Sequence, residues 1–276
     1  MMFENATAVV TGGGSGLGRA FCEELGRAHA KVLIADLNGE SAEATAARVR
    51  EIGGQARVEV LDVSDPARVA ALAKAADDWL GETDVLINNA GVAVTGPVGD
   101  VALEDWKWQV DINLWGVIYG CHFWAPRMRR RGSGHIVNVA SAAGLLSPPQ
   151  MAPYNVTKAG VVALSETLYA ELKKSGVHVT VVCPSFFRTN IINTGRGIVD
   201  PQAQRMAAKL MDKSKVQAPD VARAALTACR KGRLYCVPMR DAQVMWRLKR
   251  LIAGGFYDFL SRASDQPRLM KLLGAD

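Results

Sequence analysis

Ser141, Tyr154 and Lys158 are the residues whose types and spacing point most directly to chemistry. Tyr154 and Lys158 are four positions apart, which on a helix puts them on one face with about 5–6 Å between their Cβ atoms. A phenol with its ordinary pKa of about 10 is a poor base at neutral pH. A nearby ammonium favours the phenolate, and so does the positive end of a helix, which Pro153 marks just before Tyr154. Each unit of depression corresponds to about 1.4 kcal/mol, so bringing Tyr154 near neutrality requires roughly 3–4 kcal/mol from such charges. Alone, a Tyr and a Lys at this spacing are ordinary surface residues. The pair gains weight from its company.

That company begins with Thr11-Gly12-Gly13-Gly14-Ser15-Gly16-Leu17-Gly18, which follows the apolar run Ala6-Thr7-Ala8-Val9-Val10 and opens a helix-period segment. Strand, glycine turn and helix in this order form a cradle for a dinucleotide pyrophosphate, whose charge meets the unsatisfied N–H groups and dipole of the helix start. Glycine-rich turns also serve plain packing. Asp36 ends the next apolar run, Lys31-Val32-Leu33-Ile34-Ala35, where a carboxylate can accept ribose hydroxyls or merely cap a helix.

With these residues in place, the chain resembles a short-chain dehydrogenase/reductase of the classical type. The matching positions are Thr11-Gly12-xxx-Gly16-x-Gly18, Asp62-Val63, Asn88-Asn89-Ala90-Gly91, Asn113, Ser141, Tyr154-xxx-Lys158, and Pro184 with Thr189. The resemblance implies a nicotinamide cofactor cradled by Gly12, Ser15, Gly16, Leu17 and Gly18. It implies Asp36 on the adenosine ribose, Asp62 and Val63 at the adenine, Asn89, Ala90 and Gly91 beneath the cofactor, and Pro184 and Thr189 at the carboxamide. Tyr154 becomes the general acid/base for a substrate oxygen that Ser141 also bonds. Lys158 also holds the nicotinamide ribose, and the main-chain carbonyl of Asn113 holds a relay water. Asp36 repels a 2′-phosphate and neither Ser15 nor Leu37 offers a cation to receive one, so NAD is expected over NADP. The family usually has Pro-Gly where this chain has Pro184-Ser185.

Apolar runs near residues 6–11, 31–36, 56–61, 84–88, 134–140, 177–183 and 234–238 read as strands. Helical segments read near 16–28, 40–52, 66–80, 104–131, 153–174 and 219–231, with Asp65-Pro66 and Pro219-Asp220 as start signals. The alternation predicts an α/β fold: one doubly wound (Rossmann) parallel sheet of about seven strands in a domain over 1–238, with an amphipathic helical extension over 239–276. In such a sheet the motifs above all follow strands and converge on the ligand crevice.

Net charge is +6, but basic and acidic residues are interleaved, and the densest cluster, Arg127 with Arg129, Arg130 and Arg131, ends a helical pattern where cations suit the dipole. Nucleic acid is therefore not an expected partner. The five cysteines, Cys22, Cys121, Cys183, Cys229 and Cys236, show no metal spacing and read as buried reduced thiols. With no stretch of roughly twenty apolar residues and no signal-like start at Met1-Met2-Phe3, a cytoplasmic setting is expected. Phe186, Phe187, Ile191, Ile192 and Ile198, with Leu145, Leu146, Met151, Met206 and Leu210, suggest a hydrophobic alcohol or ketone, although several can equally be core. A nucleotide-sugar epimerase or dehydratase, or a non-catalytic NAD-binding regulator, are the alternatives. Trp106, Trp108, Leu114, Trp115, Val161, Leu164 and Leu168 suit the family's homodimer or homotetramer helices. The basic, apolar tail (Val244, Met245, Trp246, Leu248, Leu251, Ile252, Phe256, Tyr257, Phe259 and Leu260 with Arg240, Arg247, Lys249 and Arg250) is expected to pack on protein; an anionic membrane surface is the less favoured reading.

Overall fold

The computed structural model describes residues 3–189, 191, 195–197, 201–252 and 254–258. Its strands are β1 (Thr7–Thr11), β2 (Lys31–Asp36), β3 (Gln55–Val60), β4 (Val85–Asn88), β5 (Val94–Thr95), β6 (Gly134–Val139), β7 (Val177–Val182), β8 (Arg196–Gly197) and β9 (Tyr235–Cys236). The helices are α1 (Gly16–Arg27), α2 (Gly39–Glu51), α3 (Pro66–Leu80), α4 (Leu103–Val110), α5 (Gly116–Arg131), α6 (Ala142–Leu146), α7 (Ala152–Leu172), α8 (Pro201–Lys213), α9 (Ala218–Arg230) and α10 (Arg240–Ile252).

Seven strands form one parallel sheet in the order β3-β2-β1-β4-β6-β7-β9, as the alternation of elements predicts. The apolar runs Ala8–Val10, Val32–Ala35 and Val85–Ile87 are buried because helices cover both faces. On one face α1, α2 and α9 pack around Phe21, Leu25 and Ile34; on the other α3, α5 and α7 pack around Leu72, Leu86 and Trp124. Chain order reverses between β1 and β4, so the ends of these two strands open the crevice where a doubly wound sheet binds its ligand.

Local chemistry sets the helix starts. Asp65 caps α3 by accepting the N–H groups of Ala67 and Arg68 at 2.8 and 3.3 Å, with Pro66 in the first turn. At α9 the Asp220 carboxylate accepts the Gln217 N–H at 2.9 Å in a capping box. The long helix expected over 104–131 is divided: α4 and α5 are joined by a π-turn at Asp111–Trp115, a local widening that often marks functional positions. A second, two-stranded sheet, β5 with β8, and the short helix α6 lie in stretches that carry no sustained apolar period.

The basic cluster is structural where it is partnered: Arg127 meets Asp77 at 3.2 Å, and Arg131 meets Asp84 and Glu82 at 3.3 and 3.4 Å. All five cysteines are buried and free, and burial raises each thiol above its ordinary range. Among the described residues, no helix is long and apolar enough to cross a membrane.

Residues 240–258 lie against the chain's own body. Trp246 meets the Tyr235 ring at 4.8 Å, Lys249 Nζ donates to the Leu145 carbonyl at 2.7 Å, and Tyr257 Oη donates to that of Leu146 at 3.1 Å. Phe256 is fully buried, whereas Val244 and Leu251 remain exposed. Ile192, Ile198, Phe259, Leu260 and the Met206 side chain lie outside the described residues.

Candidate active site

The glycine turn at the end of β1 is fixed by β4. Asn89 Nδ2 donates to the carbonyls of Thr11 and Gly12, both at 3.0 Å, while Thr11 Oγ1 accepts the N–H groups of Asn89 and Ala90 at 3.0 and 3.2 Å. Gly12 has φ +64°, and a Cβ there would lie 2.7 Å from Ala90 Cα. Ser15 precedes α1 without a side-chain cap, and the first turn has no acid, so the helix's positive end is left for an anion. Gly14 donates its N–H to Asp36 Oδ2 at 2.8 Å, and Asn38 donates to Asp36 Oδ1 at 2.9 Å. A Cβ on Gly14 would come within 2.3 Å of Ser41 Oγ, so only a bare backbone passes here. An uncapped helix start, close backbone approach at Gly12 and Gly14 and a carboxylate beside them fit a dinucleotide.

Beyond β3, Asp62 Oδ1 accepts the Ser64 N–H at 2.9 Å. Val63 is buried against α5, where a Cβ on Gly116 would lie 2.9 Å from Val63 Cγ2.

The second half of the site follows β6. Ser141 caps α6, accepting the Ala143 N–H at 3.1 Å; its hydroxyl also reaches the Pro184 carbonyl at 3.4 Å and lies near enough to the Tyr154 phenol to favour its ionised form. Pro153 starts α7, which carries Tyr154 and Lys158 on one face. Lys158 is 3% exposed; its Nζ donates to the Val139 carbonyl at 2.9 Å and stands 5.7 Å from the Tyr154 ring centroid. Asn113 lies in the π-turn, fully buried. Its amide pairs both backbone groups of Val92, Oδ1 accepting the N–H and Nδ2 donating to the carbonyl, each at 2.8 Å. A Cβ on Gly91 would lie 3.2 Å from Asn113 Oδ1 and 3.5 Å from Lys158 Nζ, which places Gly91 over both.

In the chain without a bound cofactor, burial pushes the Tyr154 phenol up to about 12, against a lowering influence from Ser141. Burial likewise pushes Lys158 down to about 8. Desolvation dominates at Lys158, which lies beneath α6 and against the end of β6, while Tyr154 is half-buried beside it.

Ser185, in place of the family's glycine, donates to the Asp241 carboxylate of α10 at 3.1 Å. Thr189 Oγ1 accepts the Ile191 N–H at 3.4 Å, so the loop after β7 turns back on itself there. Of the apolar residues expected to cover a substrate, Leu145 and Phe187 are core, both 7% exposed, whereas Phe186 is 40% exposed and Leu146 and Met151 are half-buried.

Two polar residues of this cluster escape the sequence reading. Gln109 Nε2 donates to Thr157 Oγ1 at 3.3 Å, and Thr157 in turn donates to the Tyr154 carbonyl at 3.0 Å. Their signal is positional: Gln109 precedes Asn113 by one helical turn, and Thr157 adjoins Lys158.

Residues 6–196 match the model of the short chain dehydrogenase family, and the chain belongs to that family. It is 37% identical over 193 residues to the Mycobacterium tuberculosis protein named "Probable oxidoreductase EphD", covering 70% of this chain and 33% of that protein. The chain thus spans about a third of the length of the first curated relatives it matches. It is 32% identical over 252 residues to 1-deoxy-11-beta-hydroxypentalenate dehydrogenase of Streptomyces exfoliatus, covering 90% of this chain and 88% of that one. Among solved structures, a short-chain dehydrogenase/reductase from Burkholderia phymatum in complex with NAD superposes with a TM-score of 0.84 at 35% identity, over 91% of this chain and 94% of the other.

The buried lysine has a consequence for stability. Its ammonium is disfavoured by folding, so below pH 8 the folded chain carries the full cost of burying the charge. As pH rises through about 8 the folded state releases the proton while the unfolded state keeps it to about 10.5, so this contribution to stability grows across that window. The corresponding cost is about 3 kcal/mol. Lys158→Met is therefore expected to be the more stable protein in urea at pH 7, with its advantage shrinking between pH 8 and 10. A variant less stable than wild type at every pH would contradict this.

Proposed function

We propose that this protein is an NAD-dependent oxidoreductase that moves a hydride between the nicotinamide and a hydrophobic secondary alcohol or ketone. The observation that carries the reading is the convergence of two half-sites on one sheet edge: the glycine cradle with Asp36, and the Ser141, Tyr154, Lys158 and Asn113 cluster. A regulator that only sensed NAD would need the first half alone, and an epimerase or dehydratase would carry a differently spaced glycine loop.

When bound, the nicotinamide supplies the hydride acceptor or donor. Tyr154 Oη takes the substrate hydroxyl proton in oxidation and returns one in reduction. Ser141 Oγ, beside that phenol, orients the same substrate oxygen. Lys158 Nζ, buried beneath Gly91, is placed to hold a ribose hydroxyl, and Asn113 fixes the Gly91-Val92 backbone beside it. Asp62 and Val63 bound the adenine end, and Pro184 and Thr189 the carboxamide end. The exposed Phe186 and half-buried Leu146 and Met151 supply an apolar lining, as a hydrophobic substrate requires. Buried reduced thiols fit a cytoplasmic setting.

Tyr154→Phe is expected to lower turnover of an alcohol panel by about 10²–10⁴-fold, the usual worth of a positioned acid/base, with NADH affinity kept. Near-normal turnover would refute the mechanism.

NAD preference rests on Asp36, whose carboxylate lies against the Gly14 N–H, and on Leu37, which is 71% exposed and offers no cation. Wild type is expected to show the higher kcat/KM with NAD, and Asp36→Ala with Leu37→Arg to move selectivity toward NADP. A wild type that already favours NADP would contradict the electrostatic argument.

Assembly as a homodimer or homotetramer through α5 and α7 belongs to the same reading. Trp115 is 44% exposed and stacks on Tyr119 at 5.5 Å, an apolar surface suited to a second copy. Light scattering is expected to give the mass of two or four chains; a monomer at all concentrations would refute it.

A further inference from the structure

Thr157 lies between Tyr154 and Lys158 on α7 and is fully buried. Its hydroxyl is a junction. A threonine hydroxyl has one proton to give and two lone pairs to receive. The proton goes to the Tyr154 carbonyl at 3.0 Å; Gln109 Nε2 and Asn113 Nδ2 approach the lone pairs at 3.3 and 3.5 Å. The orientation of both amides follows from the network. Asn113 Oδ1 is committed to the Val92 N–H, so Nδ2 faces the threonine. The threonine's proton is committed to Tyr154, so Gln109 meets it with an N–H. Gln109 is itself fully buried, and its Oε1 has no partner among the described residues.

The arrangement spans two elements that otherwise touch through apolar packing. Gln109 is on α4, Asn113 one turn later is in the π-turn, and both converge on the first turn of α7, where Tyr154 sits. A buried polar side chain with an unpaired acceptor is destabilising, a cost that a hydrocarbon of similar size avoids. Its placement is therefore better explained by geometry than by stability. We propose that Gln109, acting through Thr157, is a positioning residue for Tyr154: it locks the opening turn of α7 so that the phenol stays set toward Ser141 and the substrate oxygen. This inference rests on the proposed role of Tyr154, and a misplacement of about 1 Å at a reacting group costs up to about a hundredfold in rate.

The test uses the full chain with Gln109→Met, which keeps volume and removes the amide, with Thr157→Val and Thr157→Ser beside it. In Gln109→Met and Thr157→Val, kcat on the best panel alcohol is expected to fall about tenfold while the Kd for NADH holds, because the glycine cradle and Asp36 are untouched. Thr157→Ser, which keeps the hydroxyl, is expected to stay near wild type. A readout independent of turnover is the ionisation of Tyr154, followed by NMR of Cζ-labelled tyrosine and assigned by its loss in Tyr154→Phe. Its midpoint is expected to move to higher pH in Gln109→Met as the phenol shifts away from Ser141. An unchanged midpoint in folded Gln109→Met would overturn the proposal. So would a parallel loss of kcat, NADH affinity and thermal stability that Thr157→Ser shares, since that pattern marks a purely structural residue. Turnover retained in Tyr154→Phe would instead refute the reaction itself, which separates the two failures.

Discussion

Lys158 donates to the Val139 carbonyl at 2.9 Å from a site almost closed to water, and the surrounding backbone is shaped by that buried ammonium. Gly144 lets α6 ride directly on α7, where a Cβ would come within 2.6 Å of the Lys158 carbonyl group. Gly91 does the same from the β4 side, leaving the amine and the Asn113 amide a bare backbone to work against. A lysine so placed gives up hydration that a single carbonyl replaces only in part, which is why its ammonium is destabilised. The half-buried tyrosine one turn earlier is driven the opposite way, toward its neutral phenol. Lys158 is thus held close to the point where a modest added charge decides its protonation, whereas Tyr154 needs a larger one.

Topology brings the rest of the site to this pair. The reversal of chain order between β1 and β4 opens one crevice, and the Thr11–Asn89 hydrogen bonds tie the two strand ends that border it. The cradle half is therefore rigid with respect to β4, and β4 carries Gly91 over Lys158. Ser185 and Asp241 link the loop after β7 to α10, while Lys249 and Tyr257 bond the last carbonyls of α6. The tail beyond the sheet thus braces the helix that Ser141 caps.

The sheet was legible in the sequence because Ala8–Val10, Val32–Ala35 and Val85–Ile87 are continuous apolar runs, the pattern of strands covered on both faces. The site was legible through glycines and through the Tyr154/Lys158 spacing, both of which encode backbone geometry directly. What could not be read had a common cause. The π-turn at Asp111–Trp115 keeps helical periodicity on both sides, α6 is a single capped turn, and β5 and β8 are two residues each, too short for any period to show. The ionisation of Tyr154 in the free chain was not legible because charge proximity can be read from spacing, whereas desolvation depends on how the packed elements cover the phenol. Gln109 and Thr157 stayed hidden because uncharged polar residues on a helix signal partners only once the neighbouring helix is in place.

On the proposed function, Tyr154 stays protonated in the free chain, and the positive charge of the oxidised nicotinamide would favour its phenolate, the form that accepts the alcohol proton. NMR titration of Cζ-labelled Tyr154, without and with saturating NAD, tests it most directly. The account predicts a midpoint well above that of an ordinary tyrosine in the free chain and a clear fall on binding. A midpoint at or below the ordinary value in the free chain, or one that NAD leaves unchanged, would contradict it.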